Sequence, residues 1–275
     1  MNTRLTKEDR AIIKKARGNK CSGPIYSEDG LRLLKVLGNP EYLEVKDGVK
    51  AICDEACLGL DNLHDVVLPA SVTDLGTRAF ASCIKLFKIT MPGVDFIGIE
   101  SFAHCENLKE IALPETLGKI WKAAFADCKA LEEINIPSHL KIIDKSAFRN
   151  SGLKSLNIVI SDDCECCIYD KAFASCKHLE SVYLNKNVKI VERMAFAGCT
   201  SLMTIGFENP SLTGLIGKTD LIAEINATML IGCTSLEKII VPKNKYNHYP
   251  DFNIQGYESA QFETRDFNSL VTPKE

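Results

Sequence analysis

The chain has 275 residues, of which 45% are hydrophobic and 25% charged, and its net charge is −3. That balance is ordinary for a soluble folded chain. It lacks the basic excess of a nucleic-acid-binding protein, and no apolar run is long enough for a membrane-spanning helix.

Residues 1–24 read as a separate basic helix or cap. The first twenty hold seven Lys/Arg and two acids. Thr6 with Asp9 is a capping pattern, a helix is predicted through Ala16, and Gly18 stops it. Ala11-Ile12-Ile13 is too short for the apolar core of a secretory signal. Ile12, Ile13 and Ala16 are expected to dock on the first repeat; the alternative is a basic arm for an anionic surface. Residues 25–55 read as an opening half-repeat. Leu31, Leu33 and Leu34 start a strand after a turn at Asp29-Gly30, and Val45, Val49 and Ile52 imitate the second half of a repeat.

From Ala56 one phrase recurs, A-F-x-x-C-x-x-L-x-x-I-x-L-P-x-x-L-x-x-I-x-x-x, mostly every 23 residues. It is clean from Ser101, Ala124, Ala172 and Ala195 and looser from Ala56, Ala79, Ala147 and Met229. About eight such units fill residues 56–250, and a fixed period of this size means a solenoid. Apolar pairs such as Ile111/Leu113 and Val182/Leu184 alternate with period two, which predicts one short strand per repeat of 22–25 residues. The following proline, as at Pro92, Pro114 and Pro137, ends the strand. A second pair, such as Leu117/Ile120, turns the chain back, and A-F-x-x-C is expected to make a helical turn on the opposite side. Stacking repeats would pair the strands in parallel and pile up Phe80, Phe102, Phe125, Phe148, Phe173 and Phe196. Cys83, Cys105, Cys128, Cys176, Cys199 and Cys233 share one register, as core-filling free thiols. Unpaired thiols suit a reducing compartment.

The recurrent L-x-x-I-x-L-P and A-F-x-x-C, cleanest in residues 101–146 and 172–202, resemble the BspA-like leucine-rich repeat family over roughly residues 25–250. The resemblance implies an α/β repeat solenoid. It also implies a binding or adhesion scaffold, because that family shares no catalytic motif.

Three stretches depart from the pattern. Repeat five loses a residue before Leu153 and gains several near Ser161, with Cys164, Cys166 and Cys167 close by. C-x-C-C is not a paired zinc knuckle, so core filling is preferred to metal binding. Repeat seven runs over 34 residues, Ala195–Thr228, with an insertion at about 209–228. There Gly214–Thr219 hints at a phosphate loop, but Leu212 stands where a glycine is needed. Asn226 begins a glycosylation sequon that matters only on export. Residues 251–275 read as an aromatic cap and tail, with Tyr246–Phe252 closing the last repeat.

No catalytic motif is present, and none of His64, His104, His139, His178 and His248 has a repeat-fixed carboxylate partner together with a nucleophile at hand. The outward positions of the strands form a regular array. On it Phe87, Glu110, Glu133, Asn135, Tyr183 and Met203 are the candidate binding residues. Tyr183, between Asn157 and Gly206 in the neighbouring repeats, is expected to have room beside its ring for a ligand side chain. The expectation is a non-enzymatic scaffold, monomeric, without cofactor or metal and without a membrane span, that binds a protein or peptide and not nucleic acid. The alternatives are a secreted or cell-surface adhesin or glycan-binding module and, more weakly, an enzyme built near the repeat-seven insertion. A native start at Met1 would imply the cytoplasm; a removed leader would imply export.

Overall fold

The computed structural model describes residues 2–209, 228–242 and 261–265. The chain begins with α1, Lys7–Gly18. Thr6 Oγ1 accepts from the Asp9 amide at 3.1 Å and Asp9 returns the bond to the Thr6 amide at 2.8 Å, which satisfies two of the helix's unpaired donors. Asp9 also meets Arg32 at 2.9 Å, in a pair nearly closed to solvent. Ile13 and Ala16 are buried, and Ile13 packs with Leu34 and Cys53. The helix thus covers the open end of the solenoid.

Most of the described coils contribute short strands on two sides. On one side, β3 (Tyr42–Glu44), β5 (Asp65–Val67), β7 (Lys88–Thr90) and β9 (Glu110–Ile111) form a parallel sheet. The same side continues in a second sheet made of β12 (Ser155–Ile158), β14 (Ser181–Leu184), β16 (Thr204–Phe207), β17 (Lys238–Pro242) and β18 (Gln261–Arg265). The turn-back segment, expected only to reverse the chain, forms strands too. After a hairpin of β1 (Gly23–Tyr26) and β2 (Arg32–Leu37), these are β4 (Ala51–Ile52), β6 (Asp74–Leu75), β8 (Phe96–Ile97) and β10 (Lys119–Ile120). The series ends with β11 (Ile142–Ile143), β13 (Cys166–Ile168) and β15 (Val188–Val191), and together they make one nine-stranded sheet.

The third side carries A-F-x-x-C. It is a run of tight turns rather than a helical turn. Two residues per coil adopt positive φ, for example Arg78 and Ser82, Glu100 and His104, Ala123 and Asp127. The second of these is Ser, His, Asp, Asn or Gly throughout, residue types that tolerate the left-handed region. The first is not, and bonds between coils hold it: Arg78 N–H donates to Ile99 O and Glu100 N–H to Lys122 O.

The six phenylalanines are fully buried and stack in one column, with centroids 5.2–5.5 Å apart and planes within 9° of parallel. The cysteine column beside them is buried, and Cys83, Cys105, Cys128, Cys176 and Cys199 form no disulfide. Each thiol donates to a carbonyl of the preceding coil: Cys105 to Phe80 O at 3.1 Å, Cys128 to Phe102 O at 3.2 Å, Cys199 to Phe173 O at 3.2 Å. The insertion in repeat five is pinned by repeat six. Asn185 and Asn187, both buried, donate to Ile160 O at 2.7 and 3.0 Å.

Strand β18 falls inside the stretch read as cap and tail, and pairs in parallel with β17 over five residues. The closing role assigned to Tyr246–Phe252 and the insertion's motifs at 214–219 and Asn226 lie outside the described residues.

Candidate functional site

The strand side is interrupted. Residues 131–138, whose Ile134 and Ile136 keep the strand pattern, form no strand, so the sheet ends at β9 and resumes at β12. Asn135 bridges the break. Its side chain donates to Leu113 O at 2.8 Å and accepts from Leu113 N–H at 2.9 Å, replacing a backbone ladder pair. This gives Asn135 a structural task. Glu133, in the same strandless segment, is exposed.

Next to the break, β7 and β9 pair only through Lys88↔Glu110 and Ile89↔Ile111. Beyond that point a slot of about 450 Å³ opens between Thr90–Pro92 and Ala112–Pro114. Its floor is apolar, with Ile89, Met91 and Leu113 buried and Ile111 half-buried. Lys88 and Glu110 stand at its mouth, paired at 2.7 Å. Both are about half exposed, so the pair is worth little to stability. The Lys88 pKa is raised by the hydrogen bond to Glu110 and by that carboxylate's charge.

The other nominated residues are spread along the face. Phe87 is half-buried and stacks on His64 at 5.4 Å. Met203 is 40% exposed. Tyr183 points outward, but the space foreseen beside it is taken by its own ring. A Cβ on Gly206 would lie 3.4 Å from Tyr183 Cδ2, and the hydroxyl meets Glu208 at 3.2 Å. Only Glu110 among the candidates lines the slot.

The nine-stranded sheet shows a surface that the repeat pattern does not reveal. Lys119, Ile142, Cys167 and Ile190 are register partners in sequence, and Ile190 is 46% exposed. Phe96 and Trp121 meet at 5.4 Å, with Lys119 Nζ 3.4 Å above the indole. Alternation across residues 119–121 would have exposed Trp121, had the segment been taken as a strand.

Three histidines have carboxylate neighbours, each in a different arrangement: His64–Asp65 at 2.8 Å, His104–Asp127 at 3.6 Å and His139–Asp163 at 3.6 Å. His139 Nδ1 also lies 3.0 Å from Ser138 Oγ. The grouping resembles a nucleophile, base and orienter, but His139 and Asp163 are 58% and 75% exposed. Groups this exposed sit in water rather than in the dry, preorganised setting that makes such a grouping effective.

The thiols Cys164, Cys166 and Cys167 diverge. Cys164 donates to His139 O at 3.3 Å, Cys166 is buried and Cys167 faces outward. Among the described residues no three His, Cys, Asp or Glu side chains are placed to hold a metal ion, and no helix is long and apolar enough to cross a membrane.

No curated protein matches this sequence. Solved structures with a similar course include a leucine rich cell surface protein from Faecalibacterium prausnitzii A2-165, at 18% identity and TM-score 0.42, covering 90% of this chain and 93% of that one. A leucine-rich repeat protein from Bacteroides ovatus ATCC 8483 has 16% identity and TM-score 0.34, covering 88% and 98%. One from T. pallidum has 21% identity and TM-score 0.37, covering 84% and 89%. At these scores the likenesses carry no argument about function. The model of the BspA type leucine rich repeat region matches six copies over residues 39–154 and 166–261, most of the length. The chain belongs to the BspA-type leucine-rich repeat family.

Proposed function

We propose that this chain is a non-enzymatic scaffold that binds an extended segment of another protein through its strand side, with the slot between Thr90–Pro92 and Ala112–Pro114 as the anchor point. The observation that carries the reading is that slot: an apolar floor, an ionic rim and a volume in the range that holds a bound side chain or two. Around it Phe87, Glu110, Glu133 and, further along, Tyr183 and Met203 would supply secondary contacts. Repeat proteins use such extended surfaces for extended partners.

The test is a peptide selected by display against the whole chain. Ala112 is exposed at the slot, so Ala112→Arg fills the slot without touching the core. Affinity for the selected peptide should fall by more than about tenfold, as for loss of a hot-spot contact. Lys189→Ala, on the nine-stranded sheet, should leave it unchanged. Equal affinity of the Ala112 variant and wild type would move the site off the slot.

Family membership favours a second reading, an exported adhesin using the same face. Fractionation of the native host separates the two: recovery at the cell surface supports the adhesin, and recovery inside supports the internal scaffold.

A further inference from the structure

A second cleft, of about 310 Å³, lies between α1 and the first coil. Leu5 and buried Ile13 form its apolar part. Arg10, Lys14 and Arg17 line it from one face of the helix, at spacing i, i+4, i+7. Lys35 of β2 faces them.

Asp54 and Glu55 also line the cleft, so it holds four cations and two carboxylates, and each carboxylate already has a partner of its own. Asp54 Oδ1 accepts from the Thr77 amide at 2.9 Å, and Glu55 pairs with Arg78 at 3.1 Å. On the helix, Asp9 serves the capping box and Arg32. The Glu8 carboxylate is held low in pKa by backbone and Thr6 hydrogen bonds at the helix start. Among the described residues none of Arg10, Lys14, Arg17 and Lys35 forms an ion pair, whereas Arg32 and Arg78 nearby both do. Lys35 is half-buried, and its ammonium rests on the Glu55 carbonyl at 2.5 Å. Burial lowers its pKa. The Glu55 carboxylate offsets part of that effect but forms its ion pair with Arg78, and a part-buried cation with no ion pair of its own favours an arriving anion.

We propose that this cleft binds the phosphate group of a ligand with an apolar body. Arg17, Lys14 and Lys35 hold the phosphate, and the body lies against Leu5 and Ile13. The guanidinium fork matches phosphate oxygens in pairs, and the ammonium groups add compact charge. A soluble phosphate ester and a phospholipid headgroup share this chemistry.

Phenyl phosphate is the probe, titrated calorimetrically into the whole chain at low salt beside inorganic phosphate. A single saturable site is expected, tighter for phenyl phosphate, and weakened at least about tenfold by Lys35→Gln and by the exposed pair Lys14→Gln with Arg17→Gln. Thermal melts of the free variants check folding, and the exposed pair carries the test if Lys35→Gln does not fold. Flotation with phosphatidic acid in phosphatidylcholine, against phosphatidylcholine alone, separates the sources. Vesicle binding lost in the same variants assigns a headgroup, and phenyl phosphate binding without vesicle binding assigns a soluble ester. Neither binding, or equal affinity in wild type and variants, would overturn the site. Equal affinity for the two phosphates would overturn the apolar subsite.

Discussion

Phe125 shows how one residue type organises this chain. Its ring lies 5.3 Å from Phe102 and 5.2 Å from Phe148, with no exposed surface. Phe125→Ala leaves a cavity flanked by two rings, and a loss of about 3–5 kcal/mol is expected; coincident urea midpoints for variant and wild type would refute the column. The cysteine beside it was legible as a small buried slot, because repetition fixed its register. Its bond to the preceding phenylalanine carbonyl was not, since that contact spans coils and needs coordinates. Burial raises the thiol pKa values of Cys83, Cys105 and Cys128, that of Cys83 to about 12 from an ordinary 9.0. The sign follows directly: a folded pKa above the unfolded one gives stability that is complete below 9 and is lost as pH rises towards 12. Stability measured by denaturant should therefore fall progressively above pH 9. Native thiol labelling should reach exposed Cys21 and spare Cys83, Cys105 and Cys128 until the chain unfolds.

At the scale of elements, the strands of the array were readable from alternation and the break at residues 131–138 was not. Ile134 and Ile136 carry the same pattern as Ile111 and Leu113. What differs lies in the neighbours. Coil five is one residue short at Gly152, where a Cβ would stand 2.0 Å from Lys129 O. Gly152→Ala must force the coils apart, and a loss of about 1–3 kcal/mol is expected in thermal or urea melts. Asn135→Ala removes both bonds to Leu113 and should cost about 1–2 kcal/mol while speeding hydrogen exchange at the Leu113 amide. An unchanged Leu113 exchange rate would mean the side-chain clamp does not hold the break closed. The turn-back strands are hidden in the sequence because each pairs over only two to four residues, too short for a period to register.

Across the whole molecule, repetition makes the solenoid, its stacking direction and its aromatic column visible in the amino-acid sequence itself. The site is less visible, because a slot depends on where pairing stops rather than on which residues repeat. Candidates chosen for outward register therefore scatter: Glu110 stands at the slot, Asn135 clamps the backbone, and Tyr183 packs over Gly206. The central claim is that the strand side binds an extended segment at the slot. Hydrogen exchange of the whole chain, with and without a display-selected peptide, tests it most directly. Protection concentrated in residues 88–92 and 110–114, and absent from the nine-stranded sheet, is the predicted result. Protection confined to Phe96, Trp121 and Ile142 on that other sheet, with the slot unchanged, would contradict it.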